Sequence, residues 1–565
     1  MNVKKIARLA VVFVFPFLLI SCAKDQVQNK EKDLTVRQTA YGAVKGAEND
    51  GVLTWKGVPY GGDTSGEHRF KAPTDPEKWK GERDATKSGQ VALQSSADGV
   101  IGSENALNLD IYRPKSEKEK LPVLVYIHGG NNQSGKSEEL SGVSFVKNHD
   151  AIFVSINYRL GVLGFNPLPS LKTGSDEENS GNYTLLDIAK SLDWVRHNIE
   201  EFGGDSKNVT ISGFSAGGRD VMAMLISPIF KGKFDKAISF SGGMTLADEE
   251  KSQQVFAEAL APLVVEDGKK TTLEEAKAWL LTSEKEVHDY LVSLDAKRLA
   301  PLMGNAGIRM SVFPHLYTDG TVLPKEGFNT KNYNQVPLLM LTGGNEFSLF
   351  AYFDKYFAKN QEAKTMNQEP AVSDYAFVNK YGGKLYSLFN AQESAEKMIS
   401  NYKAPIYTTE VKFGENEQVV GQPMATFGSF HGVFVPLFDQ NNENYKNLVG
   451  KAYESKGAKE LSKVLQDYIY QFISNGNPNG EGLPEWKAWT QDSQQNTLFL
   501  NADKAKASAQ MGAKDYTYQT VLEEIASDSS ISQERKEVLI SQVLNGRWFS
   551  RGLDEKYGHL SDFEK

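Results

Sequence analysis

Ser215 lies at the centre of the pentapeptide Gly-Phe-Ser-Ala-Gly at positions 213–217, which matches the G-x-S-x-G pattern of an activated serine. A predicted strand at 208–212 precedes it and a helical stretch at 219–226 follows it, which is the context that the pattern requires. Glycines beside the serine let a strained turn pass close to neighbouring backbone, and the helix dipole favours a negatively charged oxygen there. We predict that Ser215 is a nucleophile; a glycine-rich structural turn is the alternative interpretation.

A second glycine-rich stretch, His-Gly-Gly-Asn at 128–131, directly follows a predicted buried strand at 121–127. Acyl transfer to a serine generates a negatively charged oxygen, which needs hydrogen-bond donors that are fixed in advance. The backbone N–H groups of this loop, together with that of Ala216, can supply them. We interpret His128 itself as a structural residue at the end of the strand.

A nucleophilic serine needs a base, and the chain has eight histidines. The order along the chain that accompanies this type of serine is serine, acid, histidine, which leaves His288, His315, His431 and His559. His431 stands in the apolar, glycine-flanked stretch Gly-Ser-Phe-His-Gly, which suits a loop at the edge of a sheet. This context favours His431, and the other three remain open.

Apolar, β-rich segments alternate with helical patterns along most of the chain, which is typical of a parallel sheet covered by helices. Further buried strands are predicted at 151–158, 237–240 and 337–341. Two polar, helix-rich regions, at about 245–310 and 350–405, are interpreted as insertions that cover the sheet. We therefore predict a single α/β domain at 35–565 with a large, mostly parallel central sheet.

The first 22 residues differ from the rest of the chain. Lys4, Lys5 and Arg8 precede an apolar run at 9–20 that is too short to span a membrane and is typical of a signal peptide. The run ends in Leu-Ile-Ser-Cys, which resembles the lipobox of bacterial lipoproteins and implies that Cys22 is acylated. Residues 23–34 are polar and predict a flexible tether. An ordinary cleaved signal peptide is the alternative.

Composition narrows the expected partners and location. A formal net charge of −9 without a long basic run argues against nucleic acid as a partner. Cys22 is the only cysteine, so no disulfide forms within the chain, and acylation leaves no thiol for catalysis or metal binding. We expect an exported lipoprotein that is held in the cell envelope by its lipid, at the outer membrane or cell surface. We expect neither a metal nor an organic cofactor.

Several motifs resemble those of the type-B carboxylesterase family, which includes the cholinesterases, and they follow its order along the chain. They are Trp-Lys-Gly-Val-Pro-Tyr at 55–60, Ser-Glu-Asn-Ala-Leu-Asn-Leu at 103–109, Asn-Tyr-Arg at 157–159, Phe-Gly-Gly-Asp at 202–205, Asp-Gly at 319–320 and Gly-Asn-Pro-Asn at 476–479. The resemblance extends from about residue 36 to residue 490. It implies an α/β-hydrolase fold with helical insertions over the active site.

The resemblance also implies a role for individual residues. It assigns the nucleophile to Ser215, the base to His431 and the acid to Glu346 in Gly-Asn-Glu. The N–H groups that bind the oxyanion fall on Gly130, Asn131 and Ala216. Two structural ion pairs are implied, namely Arg69–Glu104 and Arg159–Asp187.

The chain departs from the family pattern at four positions. Asn131 stands where the family usually has glycine, and Phe347 stands where a glycine usually follows the acid. Asparagine tolerates a positive φ better than other non-glycine residues and keeps its N–H, so we expect the donor of the oxyanion hole to be retained there. Phe214 and Phe434 replace two glutamates that in the family form a buried polar cluster with a serine corresponding to Ser241. We interpret the double replacement as coordinated and expect the two rings to meet.

These residues predict a serine carboxylic-ester hydrolase that acts through an acyl-enzyme on a small-molecule ester. The stretch at 94–103 lacks the aromatic residue with which cholinesterases bind a cation, and the two glutamates are missing, so we expect neutral esters. Two alternatives remain. One is a catalytically inactive binding or adhesion domain on the same fold, and the other is an amidase or peptidase that uses the same triad.

Overall fold

Eleven strands pair into one central sheet in the part of the chain that the computed structural model describes, residues 33–304 and 306–557. In chain order they are β1 (Ala47–Asn49), β2 (Val52–Pro59), β3 (Asn108–Pro114), β4 (Leu121–Ile127), β5 (Ile152–Ile156), β6 (Gly204–Phe214), β7 (Lys236–Phe240), β8 (Leu338–Gly343), β9 (Ile406–Val411), β10 (Thr497–Ala502) and β11 (Ala507–Gly512). Their order across the sheet is β11-β10-β9-β8-β7-β6-β4-β5-β3-β2-β1.

The strands from β5 through β10 in this order run parallel, whereas β1, β2, β3 and β11 pair antiparallel at the two ends. Strands β5, β7, β8 and β9 are buried along their whole length. Such burial is characteristic of parallel strands, because crossover helices cover both faces of their sheet. The prediction of a large, mostly parallel sheet is confirmed.

Helices flank this sheet and form the insertions. The longer ones are α1 (Val143–Asn148), α2 (Tyr183–Asn198), α3 (Ala216–Ile226), α4 (Glu249–Glu266), α5 (Leu273–Leu280), α6 (Lys285–Ser293), α7 (Ala371–Ser387), α8 (Lys456–Asn475), α9 (Tyr518–Ser527), α10 (Gln533–Leu539) and α11 (Arg551–Tyr557). Helices α4, α5 and α6 lie in the first polar region and α7 in the second.

Both implied ion pairs are present. Arg159 Nη2 lies 2.6 Å from an Asp187 carboxylate oxygen, and both side chains are buried between β5 and α2. Arg69 Nε lies 2.7 Å from a Glu104 oxygen. The Arg69 guanidinium also donates to backbone carbonyls of residues 291, 292 and 294, at the end of α6. These pairs therefore join the first insertion and the N-terminal segments to the sheet.

The compact unit that contains the sheet begins at Thr35. The predicted signal peptide, Cys22 and the predicted tether up to residue 32 lie outside the described residues, as does His559. Across 33–304 and 306–557, none of the helices combines the length and the apolar character needed to cross a bilayer.

Candidate active site

Ser215 lies at the sharp turn between β6 and α3, with φ 55° and ψ −116°. Its N–H donates to the carbonyl of Phe240 on the neighbouring strand, and its carbonyl accepts the N–H of Arg219 in the first turn of α3. A positive φ is unfavourable for a residue with a side chain, so the surrounding hydrogen bonds must hold the turn in place.

The glycines on either side of Ser215 are required by close backbone contacts. A Cβ on Gly213 would lie 2.2 Å from the carbonyl oxygen of Gly217, and a Cβ on Gly217 would lie 2.2 Å from that of Ile127. These distances are far below van der Waals contact, so a larger residue would displace α3 or β4. The sequence pattern thus marks a turn packed directly against the strand that leads into the loop at 128–131.

Glu346 and His431 meet although 85 residues separate them in sequence. His431 Nδ1 and Glu346 Oε2 are 2.5 Å apart. An isolated parallel β-bridge between Asn345 and Phe430 brings the two loops side by side at the end of β8. Glu346 is fully buried, so its negative charge depends on hydrogen-bond donors that the protein supplies.

Three donors converge on the other carboxylate oxygen of Glu346. The Ser241 hydroxyl donates to Oε1 at 2.5 Å, the Thr342 hydroxyl at 3.1 Å and the Gly343 N–H at 2.5 Å. Glu346 is therefore fixed in an orientation that leaves Oε2 for the imidazole.

Aromatic rings surround the imidazole of His431. The ring centroids of Phe214, Phe350 and Tyr386 lie 4.7, 5.1 and 5.5 Å from that of the imidazole. His431 Nε2 is buried and has no hydrogen-bond partner among the described residues. Because Nδ1 is engaged by Glu346, Nε2 is the nitrogen that can accept a proton from a nucleophile.

The loop at 128–131 turns through two residues with positive φ. Gly130 has φ 95° and Asn131 has φ 58°, so Asn131 does adopt the left-handed conformation expected of it. A Cβ on Gly130 would lie 2.1 Å from the Ser134 carbonyl oxygen. Within the described chain, no acceptor is bound by the N–H groups of Gly130, Asn131 or Ala216. These three donors remain free for a ligand oxygen.

A cleft of about 860 Å³ joins these groups. Ser215, His431, Gly130 and Asn131 all line it, together with residues 95–97, 300, 301, 304 and 306–308. Among its described lining residues, Glu139 carries the only carboxylate, and there is no lysine or arginine. The walls are therefore largely uncharged.

Two of the other candidate histidines, His315 and His288, are engaged by neighbouring side chains, and so is His128. His315 is buried and its Nε2 lies 2.9 Å from Arg219 Nη1; burial and this guanidinium hold the pKa of His315 well below its usual range. His288 pairs with its neighbour Asp289 on α6, at 3.2 Å. His128 stacks on Tyr158 with centroids 4.3 Å apart, and burial lowers its pKa to about 4, as suits a structural residue.

Asp319 is also structural. Its carboxylate accepts the N–H groups of residues 321, 322 and 323 and the side-chain amide of Asn182. Burial raises the pKa of Asp319 despite these donors. It organises a tight loop and contacts no histidine in the described chain.

The two phenylalanines that replace family glutamates are in contact, as expected. The rings of Phe214 and Phe434 meet edge to face with centroids 5.2 Å apart, and Phe240 stacks on Phe434 at 4.3 Å. Phe434 is fully buried and Phe214 nearly so. The replacement has thus produced a packed apolar cluster beside the imidazole.

Phe347, which follows Glu346, is accommodated by a glycine on α7. A Cβ on Gly382 would lie 2.3 Å from the Phe347 ring, which is fully buried. Phe549 packs edge to face on the same ring at 5.1 Å. A phenylalanine after the acid is therefore compatible with the position of Glu346.

Sequence reasoning missed three side chains near His431: Phe350, Tyr386 and Glu139. The first two lie in the second helical insertion, where their spacing is that of an ordinary buried helix face. Glu139 lies beyond the glycine-rich loop in a polar stretch. Nothing local in the sequence distinguishes these residues from others of their type.

Comparison with known proteins decides the family. Residues 33–403 match the model of the carboxylesterase family. The chain belongs to this family. His431 lies beyond the matched range, but individual relatives align over more of the chain.

Para-nitrobenzyl esterase of Bacillus subtilis is 29% identical over 496 residues, which cover 82% of this chain and 94% of that protein. Liver carboxylesterase 1 of Oryctolagus cuniculus is 29% identical over 518 residues, covering 83% and 89%. These similarities identify the protein as a carboxylesterase.

Solved esterase structures share the fold. A para-nitrobenzyl (PNB) esterase structure superposes with a TM-score of 0.65 at 26% identity and covers 86% of this chain and all of its own. A carboxylesterase of Geobacillus stearothermophilus gives a TM-score of 0.66 at 27% identity, covering 84% and 97%. The predicted α/β-hydrolase fold is confirmed.

Proposed function

We propose that this carboxylesterase cleaves neutral esters through Ser215, His431 and Glu346 by way of an acyl-enzyme. The observation that carries the proposal is the 2.5 Å bond between His431 Nδ1 and Glu346, with Nε2 left unpartnered in the cleft that Ser215 lines. An imidazole whose Nδ1 is held by a carboxylate and whose Nε2 is free to accept a proton is the arrangement that activates a serine hydroxyl.

The reaction has two acyl-transfer steps. His431 Nε2 takes the proton of the Ser215 hydroxyl as Oγ attacks the ester carbonyl, and Glu346 stabilises the resulting imidazolium. The N–H groups of Gly130, Asn131 and Ala216 stabilise the negative oxygen of the tetrahedral intermediate. The imidazolium then protonates the departing alcohol. Water, deprotonated by the same imidazole, releases the acid and restores Ser215.

The preference for neutral esters follows from the lining of the cleft. The positions of the two family glutamates hold the packed rings of Phe214 and Phe434, and the stretch at 94–103 offers no aromatic ring. A cationic alcohol group therefore lacks the aromatic residue of that stretch and the pair of carboxylates that would compensate for its lost hydration.

A fluorophosphonate probe tests this function directly, because it reacts only with an activated serine. We expect stoichiometric labelling of the wild-type chain and none of Ser215→Ala. A folded wild-type protein that resists labelling would indicate an inactive binding domain. Assays of an ester and its matching amide, with equal acyl groups, separate an esterase from an amidase; faster amide hydrolysis would contradict the proposal.

We further propose that Cys22 is acylated and that the enzyme acts at a membrane surface of the cell envelope. The support is the Leu-Ile-Ser-Cys ending of the apolar run and the use of the sole cysteine at that position. Mass spectrometry of the mature N-terminus tests the lipid, and cell fractionation tests the location. A mature N-terminus without acyl groups would refute the anchor without affecting the proposed chemistry.

A further inference from the structure

Glu139 places a carboxylate in the wall of the active-site cleft, beside the loop that carries the oxyanion donors. Its Oε2 accepts the N–H of Gly129 at 2.9 Å and the hydroxyl of Tyr126 at 2.8 Å. Its carbonyl accepts the side-chain amides of Asn442 and Asn444, at 3.0 and 3.2 Å. The residue is thus fixed on both its backbone and its side chain.

The hydrogen bond from the Gly129 N–H to Glu139 lies next to Ser215. A Cβ on Gly129 would lie 3.2 Å from Ser215 Cβ and 3.1 Å from the Phe214 carbonyl oxygen. Gly129 also immediately precedes Gly130, whose N–H is one of the free donors. Any movement of the Gly129 peptide would therefore change the distance between the oxyanion donors and Ser215.

The charge of Glu139 has no other evident partner. No lysine or arginine in the described chain forms an ion pair with it; the adjacent Glu138 takes the nearby cations Lys56 and Lys136. The titratable groups that interact electrostatically with Glu139 are the phenols of Tyr126, Tyr158 and Tyr445 and the imidazole of His431. Tyr445 and His431 line the same cleft as Glu139. The phenols are neutral, since burial raises their pKa values above the usual range.

Burial raises the pKa of Glu139, while the hydrogen bonds from Gly129 and Tyr126 and the attraction to His431 oppose this effect. Those two donors compensate the half-buried carboxylate in the resting enzyme. Glu139 and His431 line the same cleft, so the imidazolium that forms on His431 during acyl transfer lies in the field of this carboxylate. By reciprocity, the carboxylate stabilises the imidazolium.

We propose that Glu139 is a positioning and electrostatic residue of the esterase site, which fixes the oxyanion loop through Gly129 and stabilises the imidazolium of His431. It supplies the negative charge absent from positions 214 and 434, from a different element of the fold. The inference rests on the proposed triad.

Glu139→Gln tests the charge alone, because glutamine can keep an acceptor oxygen for both Gly129 and Tyr126. We expect kcat for a neutral ester to fall about tenfold, with KM changed less than twofold, as suits an interaction made mainly in the transition state. We also expect the acid limb of the kcat/KM profile to move to lower pH by about half a unit or more, since the imidazole protonates less readily.

Glu139→Asp tests the position, because it keeps the charge and shortens the reach to Gly129. We expect kcat to fall while the acid limb stays within about 0.2 pH units of wild type. Glu138→Gln is the matched control: it removes the same charge one residue away, where the carboxylate contacts Lys56 and Ser88. We expect it to leave kcat and the acid limb unchanged.

An unshifted acid limb in Glu139→Gln, or an equal shift in Glu138→Gln, would overturn the inference. Thermal unfolding of each variant identifies any loss that comes from misfolding. The proposed triad is tested separately by Ser215→Ala. If that variant retained activity, the triad would be wrong, and the Glu139 variants could still be compared with wild type.

Discussion

The hydroxyl proton of Ser241 is donated to Oε1 of Glu346 across 2.5 Å. A serine has one such proton, so Ser241 is committed to the proposed acid. This contact has a consequence for the neighbouring phenylalanine cluster. A glutamate restored at position 214 or 434 could not take the Ser241 hydroxyl without depriving Glu346 of one of its three donors.

The first prediction concerns the triad. Ser215→Ala should fold normally and lose ester hydrolysis by several orders of magnitude, because the nucleophile is removed. Glu346→Gln should lose most of kcat, since the imidazole loses its orienting charge. Asp319→Asn is the matched control, because Asp319 is also a buried carboxylate but binds backbone N–H groups of its own loop. Its kcat should fall much less; a larger loss in folded Asp319→Asn would mean that the acid is misassigned.

The second prediction concerns Phe214 and Phe434. Phe214→Glu should destabilise the fold by about 3–5 kcal/mol, from lost ring packing and an uncompensated buried polar group. Burial raises the pKa of the introduced carboxyl above its unfolded value, so stability is lost progressively as pH rises above about 4.3. Chemical denaturation at several pH values measures this. Phe353→Glu, at a side chain that is 59% exposed, should show neither effect.

The third prediction concerns coupling between these two positions. Phe434→Glu should cost about as much as Phe214→Glu, and the double variant should cost less than the sum because two adjacent carboxyl groups can share a proton. With Ser241 already committed to Glu346, the coupling depends on that shared proton and should fade at high pH. A double-mutant cycle measures it, and a coupling energy within about 0.5 kcal/mol of zero would mean that the positions act independently.

The fourth prediction concerns substrate charge. A choline ester should be hydrolysed with a lower kcat/KM than its 3,3-dimethylbutyl isostere, which has the same shape without the charge. The described lining of the cleft offers a single carboxylate, Glu139, and that group is hydrogen-bonded to the protein. A choline ester preferred over its isostere would contradict the proposed specificity.

The fifth prediction concerns the pair Arg159–Asp187. Asp187→Asn should lower the free energy of unfolding by about 3–5 kcal/mol, because the guanidinium stays buried without its counter-charge. Asp289→Asn removes the acid of an exposed pair with Lys285 and should have no measurable effect. Denaturant titration compares the two. Similar stability losses in both variants would show that the contribution of Arg159–Asp187 to the free energy of unfolding does not depend on its burial.

The turn that carries Ser215 was predictable from sequence because all of its determinants are local. The glycines flanking Ser215, the preceding strand and the following helix lie within about twenty residues, and steric exclusion of a Cβ acts between neighbours. The strand β6 is longer than the predicted 208–212, because its first residues pair with β4, a contact that the local pattern does not contain.

The partners of Ser215 needed more than local pattern. Several histidines satisfied the order along the chain, and Glu346 was assigned only through resemblance to a family. Their contact depends on the pairing of Asn345 with Phe430, between loops far apart in sequence. Hydrophobic periodicity specifies which faces are buried, but it does not specify which loops meet at the end of a sheet.

Sequence alone therefore determined the fold class, the turn that carries Ser215 and, through family motifs, the candidates for nucleophile, base and acid. Only the tertiary structure decided that His315 pairs with Arg219, that Ser241 donates to Glu346 and that Glu139 lines the same cleft as His431. The physical reason is that burial, charge and hydrogen bonding at this site arise between residues from different segments. The energies of these interactions depend on distances in space, which cannot be obtained from the spacing of the residues along the chain.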